Sequence, residues 1–316
     1  MNKLDQLKKL SSVVADTGDF SQIEKYKPQD VTTNPTLILK AVAMEKYSAL
    51  LNKFILSKKS ASRKILLQEV LMDISIDFGV EILKLIPGRV STEVDPRLSF
   101  SQTKTITYAR KIIKKYEDKN IPRSRILVKI AATWEGIKSA KVLQQEGINC
   151  NLTLVFDLTQ AIACAENNVY LISPFVGRIT DWYMKEEKPN GFSSINEDPG
   201  VISVKKICSY YKKFNHKTII MGASFRTTDQ VEALACCDAL TVPPVLLEKL
   251  MKDTATLTND IERTSEFYNL KKIFISEENF RWNMNKNLMA TNKLAEGINS
   301  FSKDVSKLEK LVEERL

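Results

Sequence analysis

The sequence predicts an α/β fold, an eight-stranded (β/α)8 TIM barrel with additional helices. Three observations carry this. Eight short apolar or β-branched runs are spread along the chain, and most pairs of neighbours are separated by stretches with 3.6-residue apolar spacing. A strand followed by a helix, repeated, builds a parallel sheet, and eight repeats without a switch in strand order close it. Neither GxGxxG nor GxxxxGK[ST] occurs, so an open dinucleotide- or nucleotide-binding sheet loses its main support.

The candidate strands are residues 12–16, 31–34, 90–95, 125–131, 149–156, 170–176, 218–224 and 239–242. Two helices between them are plain. Residues 103–117 place Ile106, Ala109, Ile112, Ile113 and Tyr116 on one face. Residues 133–146 align Ile137, Ala140, Leu143 and Gln144, with Gly147 as a stop signal. The long interval before the third strand reads as three helices, over 43–54, 65–72 and 76–85. Residues 181–201 are polar and carry Pro189, Gly191, Pro199 and Gly200, so they read as a surface loop or partial helix. After the eighth strand the pattern is helical again, through 280–282, 289–301 and 305–316. The simplest parse is one domain over 1–316, with helices from about 277 packed on the barrel.

A chain of 316 residues with 43% hydrophobic content can bury a large core. Its longest apolar runs are strand-sized, so no membrane partner is expected, and the first residues read as an amphipathic helix rather than a secretory leader. A cytoplasmic location follows from that reading. The net charge of +9 suits nucleic acid or phosphorylated metabolites, but no basic stripe with interleaved aromatics is present, so nucleic acid is not expected. Five cysteines lack the spacing of a disulfide framework and one histidine, His216, makes a Cys/His zinc site unexpected. They read as small buried thiols of a reducing compartment.

Lys129 is the sharpest chemical signal. It sits in Ile126-Leu127-Val128-Lys129-Ile130-Ala131, where an ammonium is costly to bury. Desolvation favours the neutral amine, the form that attacks a carbonyl. A lysine whose head escapes at the strand end would explain the same residue. Asp16 and Glu93 close other strands, and strand ends of a parallel barrel share one face. Two separated acids beside an amine suit imine chemistry, which needs a proton shuttle and a base. Singly, Asp16 reads as a helix cap and Glu93 as a salt-bridge partner. Asn34 before Pro35 reads as turn chemistry; Asn151 and Thr153 alternate toward one side of their strand. Arg178 and Arg226 stand at strand ends, where guanidinium forks match phosphate oxygens, or could pair with Asp181 and Asp229.

Taken together, these segments resemble the transaldolase family, most closely its long pentose-phosphate-pathway form. The resemblance rests on Val14-Ala15-Asp16-Thr17-Gly18-Asp19, Thr32-Thr33-Asn34-Pro35, Gly88-Arg89-Val90-Ser91-Thr92-Glu93 and Lys129 with Thr133-Trp134. It continues in Asn149-Cys150-Asn151-Leu152-Thr153-Leu154, Ser173-Pro174-Phe175-Val176-Gly177-Arg178, Gly222-Ala223-Ser224-Phe225-Arg226 and Lys293-Leu294-Ala295-Glu296-Gly297. It implies a Schiff base on Lys129 and transfer of a dihydroxyacetone unit between sugar phosphates. Asp16 would serve as the base for carbon–carbon cleavage. Glu93 would shuttle protons through a water near Thr153. Asn34, Asn151 and Ser173 would hold the dihydroxyacetone moiety, Phe175 would wall the pocket, and Arg178, Ser224 and Arg226 would bind phosphate. The resemblance implies no metal and no organic cofactor, and a homodimer with the C-terminal helices at or near its interface. Pro96 and Pro243-Pro244 depart from the family's pattern without touching those positions.

Overall fold

The computed structural model describes residues 1–48, 52, 63–187, 191–257 and 270–315. In chain order its elements are α1 (Lys3–Leu10), β1 (Ser12–Asp16), α2 (Phe20–Tyr26), β2 (Asp30–Thr32), α3 (Pro35–Val42), α4 (Arg63–Leu85) and β3 (Val90–Glu93). There follow α5 (Gln102–Glu117), β4 (Ile126–Ala131), α6 (Trp134–Gln145), β5 (Cys150–Val155), α7 (Leu158–Glu166), β6 (Leu171–Pro174), α8 (Val176–Glu186) and α9 (Pro199–Lys213). The last are β7 (Ile219–Gly222), α10 (Thr228–Ala233), β8 (Ala239–Val242), α11 (Pro244–Lys252), α12 (Glu277–Lys286) and α13 (Leu288–Glu313).

All eight strands pair in parallel and in sequence order, and β8 returns to β1 with Val13 opposite Leu240 and Ala15 opposite Val242. The predicted (β/α)8 barrel is therefore what forms. Side chains alternate along a strand, so every second residue points inward. Val14, Leu127, Leu171, Met221 and Ala239 from five strands make an apolar plug of their own. Two residues further along, the same inward direction meets Asp16, Lys129, Ser173, Ala223 and Thr241. The period-2 pattern thus sets a polar layer directly above a greasy one, toward the C-terminal ends of the strands. The opposite faces of the strands pack on the surrounding helices in one large core.

Helix boundaries follow local chemistry. Thr133 Oγ1 accepts the Gly136 amide at 2.9 Å and starts α6. Beyond the helix, Gly147 takes a left-handed φ of 73° that a side chain would strain. The helices expected over 65–72 and 76–85 are one, α4. The polar break read at Asp73 and Ser75 is absorbed: Lys115 pairs with Asp73 at 2.7 Å, and Ser75 Oγ donates to the Leu71 carbonyl. The helix expected over 43–54 is not found where it is described. Ala43 ends α3 and Glu45–Tyr47 is a 3-10 turn; residues 49–51 and 53–54 lie outside the described residues.

The loop expected over 181–201 is partly helical. Its first six residues complete α8, and Asp198 caps α9, accepting the Gly200 amide at 2.8 Å with Pro199 at the first helical position. The two terminal segments expected at 289–301 and 305–316 are a single helix, α13, which packs on α3, α4, α8 and β5. Gly297 makes that approach close: a Cβ there would stand 2.6 Å from the Leu154 side chain and 3.2 Å from an Arg178 nitrogen. No helix among the described residues is long and apolar enough to cross a membrane.

Candidate active site

A cavity of about 280 Å³ opens at the C-terminal ends of the strands. This is the end of a (β/α)8 barrel where side chains from different strands converge. Asp16, Asn34, Lys129, Thr153, Ser173, Phe175, Arg178, Ser224 and Arg226 all line it, though they come from six strands or the turns that follow them.

Lys129 is 4% exposed, so its head does not escape to bulk water. Nζ donates to the Thr33 carbonyl at 3.2 Å and lies 3.4 Å from Glu93 Oε2. The two residues are directly opposed on β3 and β4, which fixes the pair by register. Glu93 lies behind the lysine and does not line the main cavity; it faces two much smaller voids. Burial pushes its carboxyl above the usual glutamate range, against the pull of the positive charge at Lys129. Burial likewise raises Asp16, opposed by Lys129, by a hydrogen bond from Thr32 Oγ1 at 2.8 Å, and by Arg178 and Lys40. Asp16 is not a helix cap; Asp19 caps α2.

Thr153 Oγ1 is buried without a hydrogen-bonding partner among the described residues, and so is Glu93 Oε2. Buried polar atoms are rarely left so, and these two flank the lysine's strand. Asn151 is different. It is fully buried and outside the cavity, its Nδ2 donating to Ser91 Oγ at 3.2 Å and its Oδ1 accepting from Ser173 Oγ at 2.6 Å. It holds Ser173 in place rather than facing the cavity. Asn34 does both jobs: Oδ1 caps α3 by accepting the Leu37 amide at 2.9 Å, and Nδ2 has no partner among the described residues.

Arg178 has no hydrogen-bonding or ion-pair partner among the described residues. Its guanidinium lies over the rings of Phe175 and Phe301, 5.1 and 5.5 Å from their centroids. Burial and the like charge of Arg226 hold its pKa below the ordinary arginine value. Neither pairing weighed from sequence spacing occurs: Asp181 goes to Arg226, at 2.7 Å, not to Arg178. Arg226 also reaches Ser224, whose backbone stands at a left-handed φ of 61°. Such strain in a non-glycine residue persists where the surroundings impose it, as the turn after β7 does here.

Several lining residues escaped the sequence reading. Thr241 is one of the inward positions of β8 and hydrogen-bonds Thr32 at 2.6 Å; strand alternation alone would have found it. Lys40 on α3 and Phe301 on α13 line the rim from helices and leave no local signal.

A family model described as transaldolase/fructose-6-phosphate aldolase matches residues 13–312. The chain belongs to this family. The match covers every strand but the first residue of β1, and every residue that lines the cavity. The family's enzymes act on sugar phosphates, and the cavity suits that class: hydroxyls and amides for a polyol, with cations at the rim. Among the described residues, the one grouping of three metal-type donors, Cys208, Cys236 and Cys237, lies elsewhere.

Proposed function

We propose that this enzyme is a transaldolase working through a Schiff base on Lys129. What supports the reading is one juxtaposition: a buried lysine nitrogen 3.4 Å from a carboxyl of raised proton affinity, below a cavity that also holds Asp16 and an unpartnered Arg178. A carboxyl with raised proton affinity is the better acceptor for the proton that Lys129 must lose before it can attack.

In this reading the amine adds to the C2 carbonyl of fructose 6-phosphate or sedoheptulose 7-phosphate. Glu93, through a water held near Thr153, supplies the proton with which the carbinolamine expels water. Asp16 takes the C4-hydroxyl proton as the C3–C4 bond breaks and the aldose phosphate departs. The three-carbon enamine then adds to the aldehyde of glyceraldehyde 3-phosphate or erythrose 4-phosphate, Asp16 returning its proton. Hydrolysis of the new imine frees Lys129. Asn34 and Ser173 hold the dihydroxyacetone hydroxyls, Asn151 acting through Ser173. Phe175 walls the pocket, and Arg178, Ser224 and Arg226 bind phosphate. No step calls for a metal or organic cofactor.

Borohydride added with fructose 6-phosphate should fix a three-carbon adduct on the peptide that carries Lys129. An unmodified peptide, under conditions that trap another lysine-dependent aldolase, would remove the mechanism. Free dihydroxyacetone measured with and without erythrose 4-phosphate then separates transfer from simple cleavage: release that ignores the acceptor would make the enzyme an aldolase. The reading extends to a single domain that acts in the cytoplasmic pentose phosphate pathway as a homodimer. Trp282 on α12 and Leu288 on α13 are exposed and offer apolar surface for that contact. A sedimentation profile of one chain at micromolar concentration would remove the dimer.

A further inference from the structure

Three thiols meet at the far end of the barrel. Cys208 comes from the C-terminal half of α9, and Cys236 and Cys237 from the turn between α10 and β8. The three Sγ atoms lie within 4.8 Å of one another, and those of Cys208 and Cys237 are 3.7 Å apart. That spacing decides between two chemistries. A disulfide brings sulfurs to about 2.05 Å, far closer than these stand. Ligands on a tetrahedral zinc at about 2.3 Å are separated by about 3.8 Å, close to the separation seen.

Charge and access agree with the spacing. Lys205, three residues before Cys208 on α9, is 7% exposed, and its ammonium has no hydrogen-bonding or ion-pair partner among the described residues. A divalent cation with three thiolates carries a net charge of −1, which a neighbouring ammonium offsets. Cys208 and Cys236 are half-buried rather than sealed, so an ion has a way in. Cys150 and Cys164 are fully buried and stand apart from the group.

We infer that Cys208, Cys236 and Cys237 form a three-thiolate site for one thiophilic d10 cation, with zinc as the physiological class and a fourth position left to water. Binding exchanges each remaining thiol proton for a sulfur–metal bond and releases it to solvent. The ion ties α9 to the turn that feeds β8. It sits at the end of the barrel away from Lys129, so it acts on stability and leaves turnover unchanged.

The test uses the full-length, freshly reduced protein and Cd2+ as the spectroscopic probe. Thiolate-to-cadmium charge-transfer absorption should rise and stop at one equivalent per chain. It should be lost in Cys208→Ser and in Cys236→Ser, and kept in Cys150→Ser. In unsubstituted protein, excess Zn2+ should slow alkylation of Cys208 and Cys236 together by at least about tenfold, read by peptide mass mapping. Absence of the absorption, its persistence in Cys208→Ser, or alkylation indifferent to Zn2+ would each overturn the site. The alkylation arm needs no variant, so a substitution that misfolds does not protect the inference.

Discussion

The two ends of this barrel both carry charge and both carry a cavity, and they use them differently. At the N-terminal end a cavity of about 400 Å³ is lined by Gln29, Asp30, Arg89, Arg125 and Asp238 among others. It is larger than the one around Lys129, yet each charged side chain in it is occupied. Arg125 donates to the carbonyls of Gly88, Leu83 and Ile86, closing the C-terminus of α4. Arg89 donates to Ser124 O and Tyr170 Oη, Asp30 accepts the Arg89 amide, and Asp238 accepts the Ile220 amide. At the C-terminal end Arg178 is unpartnered, and Thr153 Oγ1 and Glu93 Oε2 have no hydrogen bond among the described residues. Volume does not distinguish a working end from a structural one. Polar groups left for something else to satisfy do.

The contrast can be broken by substitution at either end. The largest effect is expected for Lys129→Ala: a loss of at least about three orders of magnitude in turnover, since the nucleophile itself is gone. A coupled assay of wild type and variant reads it, and retention of a tenth of the activity would refute the assignment. Next is Arg178→Ala. Removing an unpaired cation from an anion-binding rim should cost about 2–4 kcal/mol of substrate recognition, seen as a thousandfold or smaller fall in kcat/KM. Its thermal midpoint should hardly move, because no internal bond is lost.

At the base the signs reverse. Arg125→Ala should leave kcat within about twofold and lower stability by about 1–3 kcal/mol in urea unfolding, because three carbonyls lose a charged donor. The smallest effect concerns Asp30, whose carboxyl is raised by burial against the hydrogen bond from the Arg89 amide and the charges of Arg89 and Arg125. Between its ordinary value and the raised one, the folded state keeps a proton that the unfolded chain has released. The folded state binds more protons there, so Asp30 makes stability fall as pH rises through that window. Asp30→Asn should flatten this part of the stability profile. A profile unchanged by the substitution would mean that Asp30 titrates alike in both states.

Strand number, order and most of the cavity's residues were legible because they depend on period-2 alternation and on residues near strand ends. Lys129 announces itself as a charge among apolar neighbours, and Asp16 and Glu93 close their strands. What was illegible depends on partners distant in sequence. Asp73 looks like a helix break until Lys115 is beside it. Asn151 looks like a cavity residue until Ser91 and Ser173 take both ends of its amide. Whether Asp181 belongs to Arg178 or to Arg226 is a matter of angstroms, not spacing. Phe301 has no reason in its own segment to reach the cavity; α13 carries it there.

That last placement has a bearing on synthesis. The sheet is complete once Val242 has emerged, but the ring of Phe301 that walls Arg178 arrives about sixty residues later, on the close-packed helix permitted by Gly297. A nascent chain can therefore own a finished barrel while its pocket still lacks a side. Chains halted in that interval would be folded and mute.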